Sequence, residues 1–246
     1  MKTAWNVKEA RELIAEAHGR DQLELARTTI DSLAERQTYA SYHFHEYRRI
    51  LHEAIDAKLA EKSLLELTLP IELEEHWRID NALTQASANA IACIQSLHAI
   101  MDTLAHTVCY AAGLNLGSTP IKERDVSLGK VIKALAADTD FHGVWDQLNL
   151  LNTDQVLQHL SALVNHSKHR RVLRPSLNVD LRTPSQQTYE LEFPGFSHNG
   201  CKYPAVNADK MMEEAYSVLS PTVVACGNEL NEALRSIVYR TRSLTA

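Results

Sequence analysis

The chemistry-bearing stretch of this chain is Val164-Asn165-His166-Ser167-Lys168-His169-Arg170-Arg171, with Arg174 just beyond it. Imidazoles titrate near neutral pH, so His166 and His169 can act as acid or base. Lys168, Arg170, Arg171 and Arg174 are of the type that holds phosphate oxygens. Asn165 and His169 lie one helical turn apart and share a face with Arg170. The competing reading is structural. Asn165 and His169 would then tie a helix end to the next strand, and the arginines would be cations favoured by the helix dipole.

A second group is His98, Asp102 and His106, at successive four-residue spacings. On a helix they form one drifting stripe. His98 and Asp102 are weak metal-ligand candidates, with His166 or His169 completing the set from a neighbouring helix. No Cys cluster or Glu-x-x-His pattern accompanies them. A buried His98–Asp102 hydrogen bond is the favoured alternative, and neither metal nor cofactor is expected. His43, His45, Glu46 and His52 lie on a third helix, where His45, Arg48, Arg49 and His52 share a solvated face. Tyr39, Tyr42 and Tyr47 near Phe44 fit core or interface better than a base-stacking platform. P-loop, G-x-G-x-x-G, G-x-S-x-G and H-E-x-x-H motifs are all missing from the sequence, which removes the common nucleotide-binding and hydrolase routes.

The elements that must position these residues read as helices. Asn6 with Glu9 is a capping pattern and Gly19 a stop, giving a helix at about 7–18. Asp21 with Glu24 starts a long helix near 22–62, with a break near Asp31-Ser32 allowed. Residues 63–70 read as an apolar linker. From 71 to 112, Leu83, Ala90, Leu97, Leu104 and Ala111 form one apolar row and Ile94, Met101 and Val108 another. That is the seam of a helix packed lengthwise on its neighbours. After a loop at 113–127, Ser127 caps a helix at 128–137, Asp140 one at 141–150, and Thr153 one at about 154–169. Val156, Leu157, Leu160, Leu163 and Val164 make that last helix's apolar face. His159, Asn165, His166, His169 and Arg170 lie opposite, as solvated surface or as the wall of a groove that a dimer mate covers. The period then becomes two: 177–182 pairs with 188–193 as a β-hairpin across a turn at Thr183-Pro184-Ser185-Gln186. Residues 194–207 read as a loop, and Asn207 caps a final helix to about 240, kinked at Pro221.

A chain of 246 residues with net charge −6 fits one large domain and argues against wholesale coating by nucleic acid, while leaving room for a local basic patch. The spacing of Cys93, Cys109, Cys201 and Cys226 suits reduced, mostly buried thiols of a cytoplasmic protein. Met1 to Trp5 hold no apolar h-region, so no signal peptide is expected, and no apolar run is long enough to span a bilayer.

Two places resemble a set of uncharacterised bacterial helical proteins: Ser96-Leu97-His98-Ala99-Ile100-Met101-Asp102-Thr103-Leu104-Ala105-His106, and Val164-Asn165-His166-Ser167-Lys168-His169-Arg170 followed by a strand. The order of long helices, Asn-x-x-Lys-His-Arg and hairpin covers roughly 70–200. That set is similar to the HEPN superfamily of α-helical bundles. The resemblance implies a metal-independent RNase of a defence or toxin–antitoxin system, or a non-catalytic dimer. The family signature is an Arg, often followed by Asn, with a His about four to six residues on. Asn165 and His169 match it, and Val164 stands in the Arg position. Arg170 or Arg171 would have to supply the missing cation, or the site is degenerate. Arg36 and His43 also meet the spacing, as chance allows in a helix-rich chain.

The expected fold is all-α: an up-and-down helical bundle with two long helices and an inserted β-hairpin at about 177–193, in a single HEPN-like domain of residues 1–246. Helices of about 60 Å outrun a compact monomer and predict a homodimer. The expected function is RNA association, with His169, Asn165 and Arg170 in the catalytic positions and Lys168, Arg171, Arg174 and His166 on phosphate. The alternative is a non-catalytic module that binds a protein partner. No membrane partner is expected.

Overall fold

In the computed structural model the described residues are 4–180 and 188–245. The chain is mostly all-α with an inserted antiparallel hairpin. The helices are α1 (Val7–His18), α2 (Arg20–Ala54), α3 (Leu64–Thr68), α4 (Leu73–Ala111), α5 (Leu128–Leu135), α6 (His142–Thr153), α7 (Gln155–His169) and α8 (Ala208–Thr245). The strands are β1 (Ser176–Asp180), β2 (Thr188–Phe193), β3 (Phe196–His198), β4 (Cys201–Tyr203) and β5 (Val206–Asn207). None of the helices is long and apolar enough to cross a membrane.

Residue contacts cluster into two compact units. One holds residues 1–37, 98–158 and 216–246, and the other 38–97 and 159–215. In the first, Asn6 caps α1 by accepting from the Glu9 amide at 3.2 Å. Gly19 ends that helix with φ +89°, a backbone region that favours glycine. Trp5 Nε1 donates to Asn231 Oδ1 at 3.1 Å, and Asn231 Nδ2 donates to the Asn6 carbonyl at 3.0 Å. Ala10, Ile14, Leu104, Val108, Leu148 and Leu234 are among its buried side chains.

In the second unit the seam residues Ala90, Ile94 and Leu97 of α4 are buried, as are Leu160, Leu163 and Val164 of α7. The expected hairpin is present on the described residues. β1 pairs antiparallel with β2, with Leu177 opposite Leu191 and Val179 opposite Tyr189. Its turn at 183–186, with residues 181 and 182, lies outside the described residues. β5 adds a third strand to β2.

Several boundaries differ from the sequence reading. α2 ends at Ala54, with a short 3-10 turn at Asp56–Lys58, and it runs through Asp31-Ser32 without a break. Residues 63–70 contain α3, because Ser63 and Glu66 form a reciprocal capping box. Phe141, not Asp140, stands at the N-cap of α6. Asp154, not Thr153, caps α7: its Oδ1 accepts from the Leu157 amide at 3.0 Å. Thr153 is the last residue of α6. The segment read as a loop at 194–207 holds β3, β4 and β5. Asn199 and Gly200, with φ 49° and 81°, make the two-residue link between β3 and β4. That is the Asn-Gly hairpin signature, in which both central residues need positive φ. Asn207 does cap α8, accepting from the Lys210 amide at 3.0 Å. Cys93, Cys109 and Cys226 are buried as expected, whereas Cys201 is exposed. Burial pushes the Cys93 thiol up to about 12, which leaves it protonated and inert near neutral pH.

Leu104 is 1% exposed, whereas the Asp102 side chain on the same helix is 59% exposed. Leu104→Ala should therefore cost about 2–5 kcal/mol. Asp102→Ala should stay within about 0.5 kcal/mol. Urea unfolding of both variants measures the difference, and similar losses would show that the seam does not carry the core.

Candidate nucleic-acid interface

Helix α7 carries the basic stretch, and its rotation is set by burial. Leu157, Leu160, Leu163 and Val164 have 1% exposure or less. From Val164, each following residue turns by about 100°, which brings Asn165 to the flank and His166 to the far side. Asn165, His166 and Ser167 are half-buried; Lys168, His169, Arg170 and Arg171 are exposed. Helix α7 stops at His169, and the chain then turns: the Arg170 amide donates to the His166 carbonyl at 3.0 Å and Ser167 Oγ accepts from the Leu173 amide at 3.3 Å. Leu173 is buried and pins the exit of the run.

Among the described residues, the side chains of Lys168, His169, Arg170 and Arg171 make no hydrogen bond or salt bridge. Arg174 donates from Nη2 to Thr84 Oγ1 at 2.9 Å, an anchor on α4 that leaves its charge unneutralised. The site residues Asn165, His166, Lys168, His169, Arg170 and Arg171 are thus gathered at one helix end, with Arg174 a short step beyond. Unpaired cations held together in a chain of net charge −6 form a local positive field that favours phosphate. Val164, in the position of the expected Arg, has no exposed surface. The exposed cations beside His169 are Lys168 at the end of the helix and Arg170 in the turn.

The far face of α7 is covered by the chain's own β3–β4 hairpin. His159 and His166, two turns apart, pack on it. His159 lies 5.8 Å from the Phe196 ring and 5.2 Å from Tyr203. His166 lies 5.3 Å from Phe196 and 6.1 Å from His198. Phe196 and Tyr203 stack at 5.0 Å. Part of the polar face that was read as solvated, or as covered by a dimer mate, is therefore an internal interface. The helix period showed the face but not what lies against it. Within this cluster His159 Nε2, His166 Nδ1 and His198 Nδ1 are buried without a hydrogen-bond partner. A buried N–H without an acceptor is among the rarest features of folded proteins.

His98 is 7% exposed, and its Nδ1 stands 3.6 Å from Asp102 Oδ2, beyond a good hydrogen bond. His106 Nδ1 is 2.9 Å from the Asp102 carbonyl oxygen. Among the described residues no group of three His, Cys, Asp or Glu side chains is placed to hold a metal. His43 Nδ1 lies 2.9 Å from Asn89 Oδ1, and Arg36 is exposed. His45, Arg48, Arg49 and His52 are exposed, as read from the sequence.

The sequence reading missed a cleft of about 370 Å³ bordered by α2, β2 and α8 residues. Tyr47 Oη donates to Asp209 Oδ2 at 2.8 Å, and Tyr189 Oη to Asp56 Oδ1 at 2.6 Å. Arg48 Nε donates to Asp209 Oδ1 at 3.0 Å. Burial, then the Asp209 charge, raises the Tyr47 hydroxyl; burial, then the Asp56 hydrogen bond, raises that of Tyr189. Both phenols stay protonated, as donors: Tyr47 links α2 to α8, and Tyr189 links β2 to the 3-10 turn that follows α2. Tyr47 and Asp209 are 162 positions apart, and no local pattern links them.

No protein-family profile, curated protein or solved structure matches this chain.

Burial lowers the His159 pKa from its ordinary value. The unfolded chain, titrating near 6.5, then binds more protons than the folded one as pH falls below that value. This contribution is full at higher pH and is lost on acidification. His18, also lowered by burial, acts in the same direction. The urea midpoint should fall between about pH 7 and pH 5, and His159→Gln should flatten that fall without abolishing it. Parallel pH profiles for the two proteins would remove His159 as a contributor.

Proposed function

We propose that this chain is a HEPN-like RNA-associated protein that grips the RNA backbone through Lys168, Arg170 and Arg171, with His166 beside them. The observation that carries this reading is the run of exposed cations without acidic partners at the end of α7. Such a surface loses no ion pairs when it meets phosphate, so counterion release is its main gain. Asn165 and His169 occupy the matching positions of the signature, and a buried Val164 replaces its cation. The chemistry open to the site is therefore that of a degenerate metal-independent RNase, in which Arg170 would stand in for the missing guanidinium. A homodimer that brings two copies of His169 together fits the same reading.

A second reading, a protein-interaction module, is favoured by one observation: Leu69, Ile71, Leu73 and Trp77 are all more than half exposed within a short segment.

Fluorescence anisotropy of a labelled single-stranded RNA tests the first. The triple variant Lys168→Gln/Arg170→Gln/Arg171→Gln should weaken binding and reduce the log–log salt slope by about 2, near 0.7 for each lost phosphate contact. Metal-free cleavage lost equally in His169→Ala and Arg170→Ala would make the protein an RNase; binding without cleavage makes it degenerate. An unchanged salt slope in the triple variant would refute the RNA reading.

A further inference from the structure

Five of the fourteen exposed large apolar side chains among the described residues fall within residues 65–77. They are Leu65, Leu69, Ile71, Leu73 and Trp77, and Ile71 is exposed over its whole surface. The segment is not loose. Leu64 and Leu67 of α3 are buried at 1% and 0%, its first turn is closed by the Ser63–Glu66 capping box, and Ile79 on α4 is buried at 3%. Leu65 lies on α3 and Leu69 at its C-cap, and Leu73 and Trp77 lie one turn apart on α4. All four are exposed while Leu64, Leu67 and Ile79 beside them are buried. An apolar row that a folded segment holds in water marks an interaction surface.

The charges around the row select its partner. Glu66, Glu72, Glu74 and Glu75 are interleaved with it, and the segment 65–77 contains no Lys or Arg. Glu75 is paired with Lys62 and with Arg78 at 3.3 Å, and Glu66 is engaged in the cap. Glu72 and Glu74 are exposed and make no salt bridge among the described residues. Phosphate-bearing partners, whether nucleic acid or anionic lipid, are repelled here. A second copy of the same row would set these carboxylates against each other.

We propose that residues 65–77 form a docking surface for a cationic amphipathic segment of a partner protein. Its apolar face covers Leu69, Ile71, Leu73 and Trp77, and its Lys or Arg side chains meet Glu72 and Glu74. Trp77 is the anchor, since a partly exposed indole offers both apolar area and a ring face for a cation. The proposal deepens the interaction-module reading and is independent of RNA binding at α7.

The test uses the full chain and two labelled helical peptides, one of alternating Lys and Leu blocks and one with Glu in place of Lys. The Lys/Leu peptide should bind at least about tenfold more tightly than the Glu/Leu peptide. Ile71→Asp should weaken its binding about tenfold or more, although the variant adds a negative charge that purely electrostatic attraction would welcome. Glu72→Lys/Glu74→Lys should also weaken it. Ile71 is fully exposed, so both variants should keep the parent unfolding midpoint. Equal binding of the two peptides, or binding unaffected or strengthened by Ile71→Asp, overturns the proposal. So does preferential binding of phosphatidylserine vesicles. A dimer that Ile71→Asp dissociates assigns the row to a second copy; that overturns the cationic partner and leaves the module reading standing. No peptide binding and no change in oligomeric state removes both.

Discussion

The burial of Val164 is the constraint on which the rest of the candidate site depends. With Leu157, Leu160 and Leu163 it locks one stripe of α7 into the core. An α-helix allows no freedom of rotation once such a stripe is fixed, so every later side chain has an assigned direction. His159 and His166 are sent about 200° round, onto the β3–β4 hairpin, and His169 is left at the last helical position. The same residue that orients the site deprives it of a guanidinium. An Arg at position 164 would be driven into a fully buried pocket, where an unpaired charge costs several kcal/mol. Val164 is therefore a structural residue, held wholly in the core.

What was legible in the sequence was local. The apolar rows of α4 and α7 repeat at helical spacing, and all of their residues are buried except Leu83 and Val156, which are half-buried. The alternation at 177–179 and 189–193 told of a paired β1 and β2. Short elements escaped because their signals occupy two or four residues within stretches that look irregular: Asn199-Gly200 for the second hairpin, Ser63 with Glu66 for α3. Partners distant in sequence escaped for a different reason. Nothing near Asp209 indicates Tyr47, and nothing near His166 indicates Phe196. Periodicity tells which face of a helix is polar, but the neighbour that meets that face is a property of the fold. The basic run was legible by composition alone; its freedom from acidic partners was not.

The second unit separates its charges. Glu72 and Glu74 lie beside an apolar row, while Lys168, Arg170 and Arg171 gather at the end of α7. Ion pairs elsewhere in the chain are mostly local or join helix to helix, as in Arg49 with Glu46 and Glu53, or Arg48 with Asp209. Exposed pairs of this kind contribute little stability, about 0–1 kcal/mol each. Keeping the two groups unpaired therefore loses little in folding. It leaves two exposed groups of opposite sign on one unit.

The imidazole cluster divides its members by exposure. His166 is half-buried, with its Nδ1 enclosed and its ring packed against Phe196. His169, one position short of the turn, is exposed. If the site performs acid–base chemistry, His169 is the better placed of the two to reach a substrate. A base without a fixed partner is poorly aimed, since orientation by a second hydrogen bond is what positions catalytic imidazoles. Among the described residues nothing hydrogen-bonds the His169 side chain, so a single chain leaves the ring unaimed.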